Sequence, residues 1–267
     1  MLKALNYQIS GQGLPLVFIH GWGVNSAVWQ PLTAQLTQHY QVITIDLPGF
    51  GRNVEQSLTD YNLANISQLI TTTIKQPAIY IGWSLGGLVA THLALHFPQQ
   101  VKGLVTVASS PYFMEQRQGD RILWHGIKKQ VLQHFYLQLE DNIKKTLVNF
   151  LKIQAMGSAN IRQDIKQLQS LLFEFPMPSK QTLALSLALL ESADLREDLA
   201  KITQPFLRFY GRLDSLVPKA SIALINQLSP NSDYYIFNKA SHAPFISHTN
   251  EFKSQLESWL NTHFIIK

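Results

Sequence analysis

Within residues 78–90, AIYIGWSLGGLVA, an apolar run is cut by Gly82-Trp83-Ser84-Leu85-Gly86 and then resumes as a Gly- and Ala-containing apolar segment. An apolar stretch of strand length ahead of one glycine, with helix-forming residues behind a second, reads as strand, sharp turn and helix, with Ser84 at the turn. Strand and helix backbones approach closely at such a turn. The flanking positions must therefore lack bulk, and Gly82 and Gly86 meet that need. The geometry lifts the serine hydroxyl above the sheet edge and aims the first N–H groups of the helix where charge would develop on an attacked carbonyl oxygen. A Gly-rich turn with a solvent serine can carry the same short motif, so the surrounding chain decides between the two.

The surroundings repeat the strand-then-helix pattern. Residues 14–19 (LPLVFI) form a short apolar strand ending in His20-Gly21-Trp22-Gly23, with a helix expected over 26–37. Residues 41–47 (QVITIDL) are the next strand, closed by Pro48-Gly49-Phe50-Gly51, and a helix is expected over 59–74. Residues 104–108, 205–210 and 234–237 are further strands, and a last helix spans about 250–263. An edge hairpin is expected around Gly11-Gln12-Gly13. Short apolar strands alternating with helices imply a mostly parallel sheet covered on both faces, an α/β architecture. Over 111–203 the alternation stops. That stretch shows no strand pattern, only helical periodicity over 127–139, 142–153, 161–173 and 180–190, which predicts a helical insertion acting as a lid. The expected division is 1–110 with 204–267 as the core and 111–203 as the lid.

A serine hydroxyl needs a histidine to take its proton, and the histidine needs a carboxylate to hold its tautomer. In a sheet of this order both should follow the serine, acid first, in loops past the C-terminal ends of later strands. Asp214 lies four residues after Tyr210 and His242 five after Phe237. Ser84, Asp214 and His242 are therefore the candidate catalytic residues. Individually Asp214 also reads as a helix cap and His242 as a loop histidine; their joint order and spacing favour the triad. The oxyanion donors would be the backbone N–H groups of Leu85 and of Trp22 in the HGWG stretch. His20 is expected to orient that loop by hydrogen bonding, and Asp46, which precedes Ser84 in the chain, is set aside as the acid.

Other chemistries find little support. No GxGxxG or GxxxxGK[ST] motif occurs, so dinucleotide and P-loop readings fail. His92 and His96, four apart, read as surface residues, and neither cofactor nor metal is expected. With 46% hydrophobic residues in 267 the chain can bury a sizeable core, and with no cysteine it forms no disulfide. Its first residues lack a signal-peptide core and no apolar run approaches the roughly 18 residues of a membrane span, so a soluble cytoplasmic monomer is the expectation. The net charge of +5 is concentrated: residues 121–166 carry eight basic and three acidic side chains. A solvated lid surface accounts for this blandly. A docking face for an acidic macromolecule accounts for it more sharply, and nucleic acid less well, because no binding motif or interleaved aromatics accompany the charge.

With these residues in place the chain resembles the α/β-hydrolase superfamily over nearly its whole length. More narrowly it resembles the pimeloyl-[acyl-carrier protein] methyl ester carboxylesterase family of biotin synthesis. HGWGVNSAVW, DLPGFGR and GWSLGGLVA occur broadly among lidded hydrolases, whereas LVTVASSP, FLKIQAMG with RQD, PFLRFYGRLDSLVP and YIFNKASHAPFISH are more specific. The resemblance implies Ser84, Asp214 and His242 as the triad. It implies substrate contacts at Trp22, Ser84, Leu85, Phe150, Leu151, Lys152, Ile153, Gln154 and His242. Lys145, Arg162 and Lys166 would meet an acidic acyl-carrier protein, the implied partner. Asn149 departs from the pattern, since a basic residue is expected there, and Ser215 and Tyr112 depart in less critical places. The rivals are a general short-chain carboxylesterase or carbon–carbon bond hydrolase of the same fold without a carrier partner, and a binding-only use of the fold, against which an intact triad speaks.

Overall fold

A computed structural model describes residues 3–155 and 161–264, apart from the side chains of Ile153 and Ala155. The described residues form nine strands: β1 (Tyr7–Ser10), β2 (Leu14–Ile19), β3 (Tyr40–Ile45), β4 (Ala78–Trp83), β5 (Val101–Val107), β6 (Gln116–Gln118), β7 (Arg121–Trp124), β8 (Phe206–Gly211) and β9 (Asp233–Phe237). Seven of these make one sheet in the order β1-β3-β2-β4-β5-β8-β9, all parallel except β1. Every residue of β4 and β8 is buried, with no inside–outside alternation, because helices cover both faces. In chain order the helices of the described residues are α1 (Gln30–Leu36), α2 (Leu63–Thr73), α3 (Leu85–His96), α4 (Lys129–Asp141), α5 (Ile143–Ala155), α6 (Ile161–Leu172), α7 (Lys180–Ser192), α8 (Lys219–Leu228), α9 (Pro244–Ser247) and α10 (Thr249–His263). Among the described residues no helix is long and apolar enough to cross a membrane.

The order of strands places the site. From β2 the chain runs outward to β3 and then returns to β4 on the other side of β2, so the C-terminal ends of β2 and β4 flank a point where the winding reverses. Loops diverge there and leave a crevice, the usual ligand position in open α/β sheets. The HGWG loop follows β2 and Ser84 follows β4. Helices α4 to α7 occupy the chain between β5 and β8. They pack as α4 on α5, α4 on α7 and α5 on α6, and they are tied to the rest through Trp22 Nε1 to the Leu183 carbonyl (3.1 Å) and Asn25 Nδ2 to the Leu172 carbonyl (3.0 Å).

Three expectations need correction. The N-terminal segment does not pair with β2: β1 runs antiparallel to β3, with Tyr7 opposite Ile45 and Ser10 opposite Val42. The connection passes over the start of β3, where a Cβ on Gly11 would lie 2.3 Å from the Tyr40 carbonyl oxygen, and β3 inserts between the two. The segment 111–203 does contain strands, the two-stranded β6–β7 pair turning at Gly119 (φ +59°). Its strands are short and mostly exposed, so the apolar pattern is silent there. Distant contacts hold it instead: Trp124 Nε1 donates to the Tyr112 carbonyl (2.8 Å), and the Arg196 guanidinium lies over the Tyr112 and Trp124 rings. Lastly, His92 is half-buried rather than a surface residue, its Nδ1 2.9 Å from Ser67 Oγ on α2.

Candidate active site

Ser84 sits between β4 and α3 with φ 54° and ψ −118°, a backbone region that a residue with a side chain rarely adopts and that costs about 1–3 kcal/mol. The surroundings hold it there. Its N–H donates to the Val107 carbonyl (2.9 Å), and its own carbonyl accepts from Gly87 N–H (2.9 Å) and Ser109 Oγ (2.8 Å). The glycines act by close approach: a Cβ on Gly82 would lie 2.1 Å from the Gly86 carbonyl oxygen, and one on Gly86 2.5 Å from the carbonyl oxygens of Ile19 and His20. The first turn of α3 therefore rests against the end of β2. A Cβ on Gly21 would meet Ser84 Cβ at 3.2 Å, which shows how near the HGWG loop lies to the serine.

Beyond β8 the chain folds back so that Asp214 Oδ1 accepts from the N–H groups of Leu216 (2.8 Å) and Val217 (3.0 Å). Its other oxygen, Oδ2, lies 2.8 Å from His242 Nδ1. A carboxylate only accepts, so Nδ1 carries a hydrogen, and in the neutral ring that tautomer places the lone pair on Nε2. His242 Nε2 is buried and has no hydrogen-bond partner among the described residues. The His242 backbone is held from two sides. Its N–H donates to the Gln154 carbonyl in the last turn of α5 (3.0 Å), and its carbonyl accepts from Trp83 Nε1 (2.7 Å).

His20 is fully buried beneath the HGWG loop. Its Nε2 accepts from Leu47 N–H (2.9 Å), so the hydrogen resides on Nδ1, 2.8 Å from the Gly21 carbonyl. Burial holds its pKa below the ordinary value, against the opposing pull of Asp46 and of the Gly21 carbonyl, and the neutral ring clamps the loop. Asp46 is engaged elsewhere, by Ser26 N–H (2.6 Å), Arg52 N–H (3.0 Å) and Arg52 Nη1 (3.2 Å).

A narrow apolar cavity opens on Ser84, lined also by Trp22, Phe113, Ile127, Leu132, Phe135, Phe150, Leu187, Leu190 and Leu216. The centre of a water-sized sphere has about 10 Å³ to move in, roughly room for one water. Trp22 packs edge-on to Phe150, with ring centroids 4.9 Å apart. Of the sequence candidates, Trp22, Ser84 and Phe150 meet at this cavity. Leu85 and Leu151 are buried beside it without lining it, Gln154 reaches His242 through its backbone, and Lys152 is exposed, its Nζ 3.2 Å from Asn149 Oδ1. The Ile153 side chain lies outside the described residues. Lys145 on α5 and Arg162 and Lys166 on α6 are exposed and join no ion pair among the described residues. Sequence reasoning did not single out Trp83, Ser109 or the wall residues from α4 and α7. Trp83 occupies the free position of GxSxG, Ser109 lies in the LVTVASSP stretch with nothing local to mark its role, and the wall residues recur only as apolar periodicity.

A sequence profile described as alpha/beta hydrolase fold matches residues 15–249. The chain is 49% identical to a pimeloyl-[acyl-carrier protein] methyl ester esterase of Shewanella woodyi over 98% of its own length and 99% of the relative's. It is 45% identical to a protein of the same name from Vibrio cholerae, over 96% and 98%. Among solved structures, an esterase from Exiguobacterium antarcticum superposes with a TM-score of 0.83 at 22% identity, covering 96% of this chain and 95% of that one.

Proposed function

The chain belongs to the alpha/beta hydrolase fold family and, within it, to the pimeloyl-[acyl-carrier protein] methyl ester esterases, and we propose that it is a serine carboxylesterase releasing methanol from pimeloyl-acyl-carrier protein methyl ester. The free pimeloyl carboxylate so formed serves biotin synthesis. One observation carries the mechanism: His242 is pinned on Asp214 at 2.8 Å with its buried Nε2 unpartnered, and its carbonyl is tied at 2.7 Å to Trp83, the residue before the strained Ser84.

Ser84 Oγ attacks the ester carbonyl carbon while His242 Nε2 takes its proton. The resulting oxyanion is held by the N–H groups of Trp22 and Leu85. Leu85 opens α3, so its N–H has no intrahelical acceptor and carries the positive end of the helix dipole. The bond to the methoxy oxygen breaks as His242 returns its proton to that oxygen, giving methanol. Water then attacks the acyl-enzyme with His242 as base, and Ser84 leaves reprotonated. Asp214 holds His242 in the required tautomer throughout. The segment 111–203 acts as a lid over the core formed by 1–110 and 204–267. A cavity with room for one water cannot take a pimeloyl chain, so α4, α5 and α7 move as substrate enters. Lys145, Arg162 and Lys166, exposed on the adjoining helices α5 and α6, attract the acidic carrier.

The test is methanol release from pimeloyl-carrier methyl ester, with Ser84→Ala as control and a short free ester alongside. Ser84-dependent turnover that prefers the carrier substrate, weakens with salt more than free-ester turnover does, and loses its preference on reversing charge at Lys145, Arg162 and Lys166 is expected. Turnover of the free ester alone would replace this reading with a general esterase. Failure of a fluorophosphonate to label Ser84 would remove the hydrolase mechanism altogether.

A further inference from the structure

Arg208, in the middle of β8, is 1% exposed, and none of the ion pairs among the described residues includes it. A buried guanidinium without a carboxylate is unusual, because removing a cation from water costs several kcal/mol unless a counter-charge or a full set of hydrogen bonds offsets it. Here the set is incomplete. Nε donates to Ser232 Oγ (2.9 Å), Nη1 to Tyr210 Oη (3.3 Å) and Nη2 to Asn226 Oδ1 (2.8 Å). Those use three of five N–H groups and leave one on each terminal nitrogen without an acceptor among the described residues. Rings of Phe206, Tyr210 and Tyr234 lie 5.4–5.9 Å from the guanidinium carbon and offset part of the charge, but they accept no conventional hydrogen bond.

Arg208 also lines a small cavity. Arg208, Tyr210, Thr106, Ser109 and Ser110 all line it, and its volume, about 10 Å³ for the centre of a water-sized sphere, is room for one small occupant. Thr106 is the register partner of Arg208 across β5 and β8, which puts both side chains on one face of the sheet. Its hydroxyl has no hydrogen-bond partner among the described residues. Tyr210 Oη accepts from Arg208, so its own O–H remains to be donated. Burial, only partly opposed by Arg208, raises the Tyr210 pKa above its ordinary value, so the phenol stays neutral and does not supply the missing negative charge. The cavity is thus positively charged and rich in donors. Water would accept these hydrogens but bring no charge.

We propose that this cavity is a binding site for one small monovalent anion, chloride, held by the Arg208 guanidinium and the hydroxyls of Tyr210 and Thr106. The site lies behind the serine turn: Ser109, which lines it, also donates to the Ser84 carbonyl (2.8 Å), and its occupant braces β5 and β8 beneath the turn.

The test combines thermal unfolding with crystallography. The midpoint should rise saturably as sodium chloride replaces sodium gluconate at constant ionic strength, because a ligand that binds only the folded state stabilises it by mass action. Tyr210→Phe should weaken the apparent chloride affinity about tenfold or more, the effect of losing one hydrogen bond to a charged group, and Arg208→Met should abolish the response. If Arg208→Met does not fold, Tyr210→Phe and a bromide soak still decide. Anomalous bromide density within hydrogen-bond distance of the guanidinium is expected. Equal midpoints in chloride and gluconate, a chloride response unchanged by Tyr210→Phe, or water alone at the guanidinium in bromide would each overturn the proposal; so would a bromide peak without any stabilisation, which would mark an adventitious ion only.

Discussion

Asp214→Asn separates what the carboxylate does for the fold from what it does for the reaction. In the native protein Oδ1 takes two backbone hydrogen bonds, from Leu216 (2.8 Å) and Val217 (3.0 Å), while Oδ2 faces His242 Nδ1 at 2.8 Å. An asparagine has one oxygen and one NH₂. Turning the NH₂ toward Leu216 and Val217 would set donors against donors, so the oxygen stays there and the NH₂ faces His242. Nδ1 must then accept, which moves the ring hydrogen to Nε2, the atom that should receive the Ser84 proton. The expected loss in kcat is about 10⁴-fold, on the order of 5 kcal/mol of barrier, on any ester substrate. Stability should change far less. Both backbone bonds persist and only the charge assistance of one hydrogen bond is lost, at most about 2 kcal/mol and roughly 8 °C in Tm for a chain of this size. Asp214→Ala should be as inactive and markedly less stable, since it strands two buried N–H groups at about 1–3 kcal/mol each. The assay is turnover of a short free ester together with thermal unfolding of both variants. An asparagine variant within tenfold of the native kcat would refute the tautomer argument, and equal Tm losses in the two variants would refute retention of the backbone bonds.

Gly82→Ala should place a Cβ 2.1 Å from the Gly86 carbonyl oxygen and 2.7 Å from Gly87 Cα, backbone atoms that cannot rotate away, so α3 must shift its first turn. A loss of about 1–3 kcal/mol by thermal unfolding and about a hundredfold in kcat is expected; native values for both would show that the turn is looser than its contacts imply. His92 has its pKa lowered to about 4, first by burial and then by the His96 ring, from an ordinary 6.5. Between these values the unfolded chain binds the additional proton, so this contribution to stability is complete above pH 6.5 and is lost as pH falls toward 4. Tm should accordingly drop more steeply across that window in the native protein than in His92→Gln, and matching slopes would dismiss His92 as an acid-sensitive group.

Local patterns carry the α/β class, because an apolar run of strand length followed by a helical stretch is written within about 25 residues and repeats along the chain. They also name candidates: a glycine-flanked serine after one strand, an aspartate after a later one and a histidine after the last. Chain order alone could list Ser84, Asp214 and His242, but Asp214 meets His242 at 2.8 Å only because β8 and β9 are neighbours in the sheet. Pairing between distant strands leaves no periodic trace. This is why β3 can displace β2 as the partner of β1, and why the short, mostly exposed strands β6 and β7, steadied by Arg196 from far along the chain over the Tyr112 and Trp124 rings, leave no strand pattern in the sequence. The same holds for the contacts that steady the site. Trp83 and Gln154 grip the His242 backbone, His20 takes its tautomer from Leu47, and Arg208 is left with unmatched donors, all through hydrogen bonds set by where the folded chain brings separate segments together. A residue's own neighbours in sequence decide whether it can join a strand or a helix; which charge, ring or carbonyl it will face depends on packing that exists only once the sheet has closed.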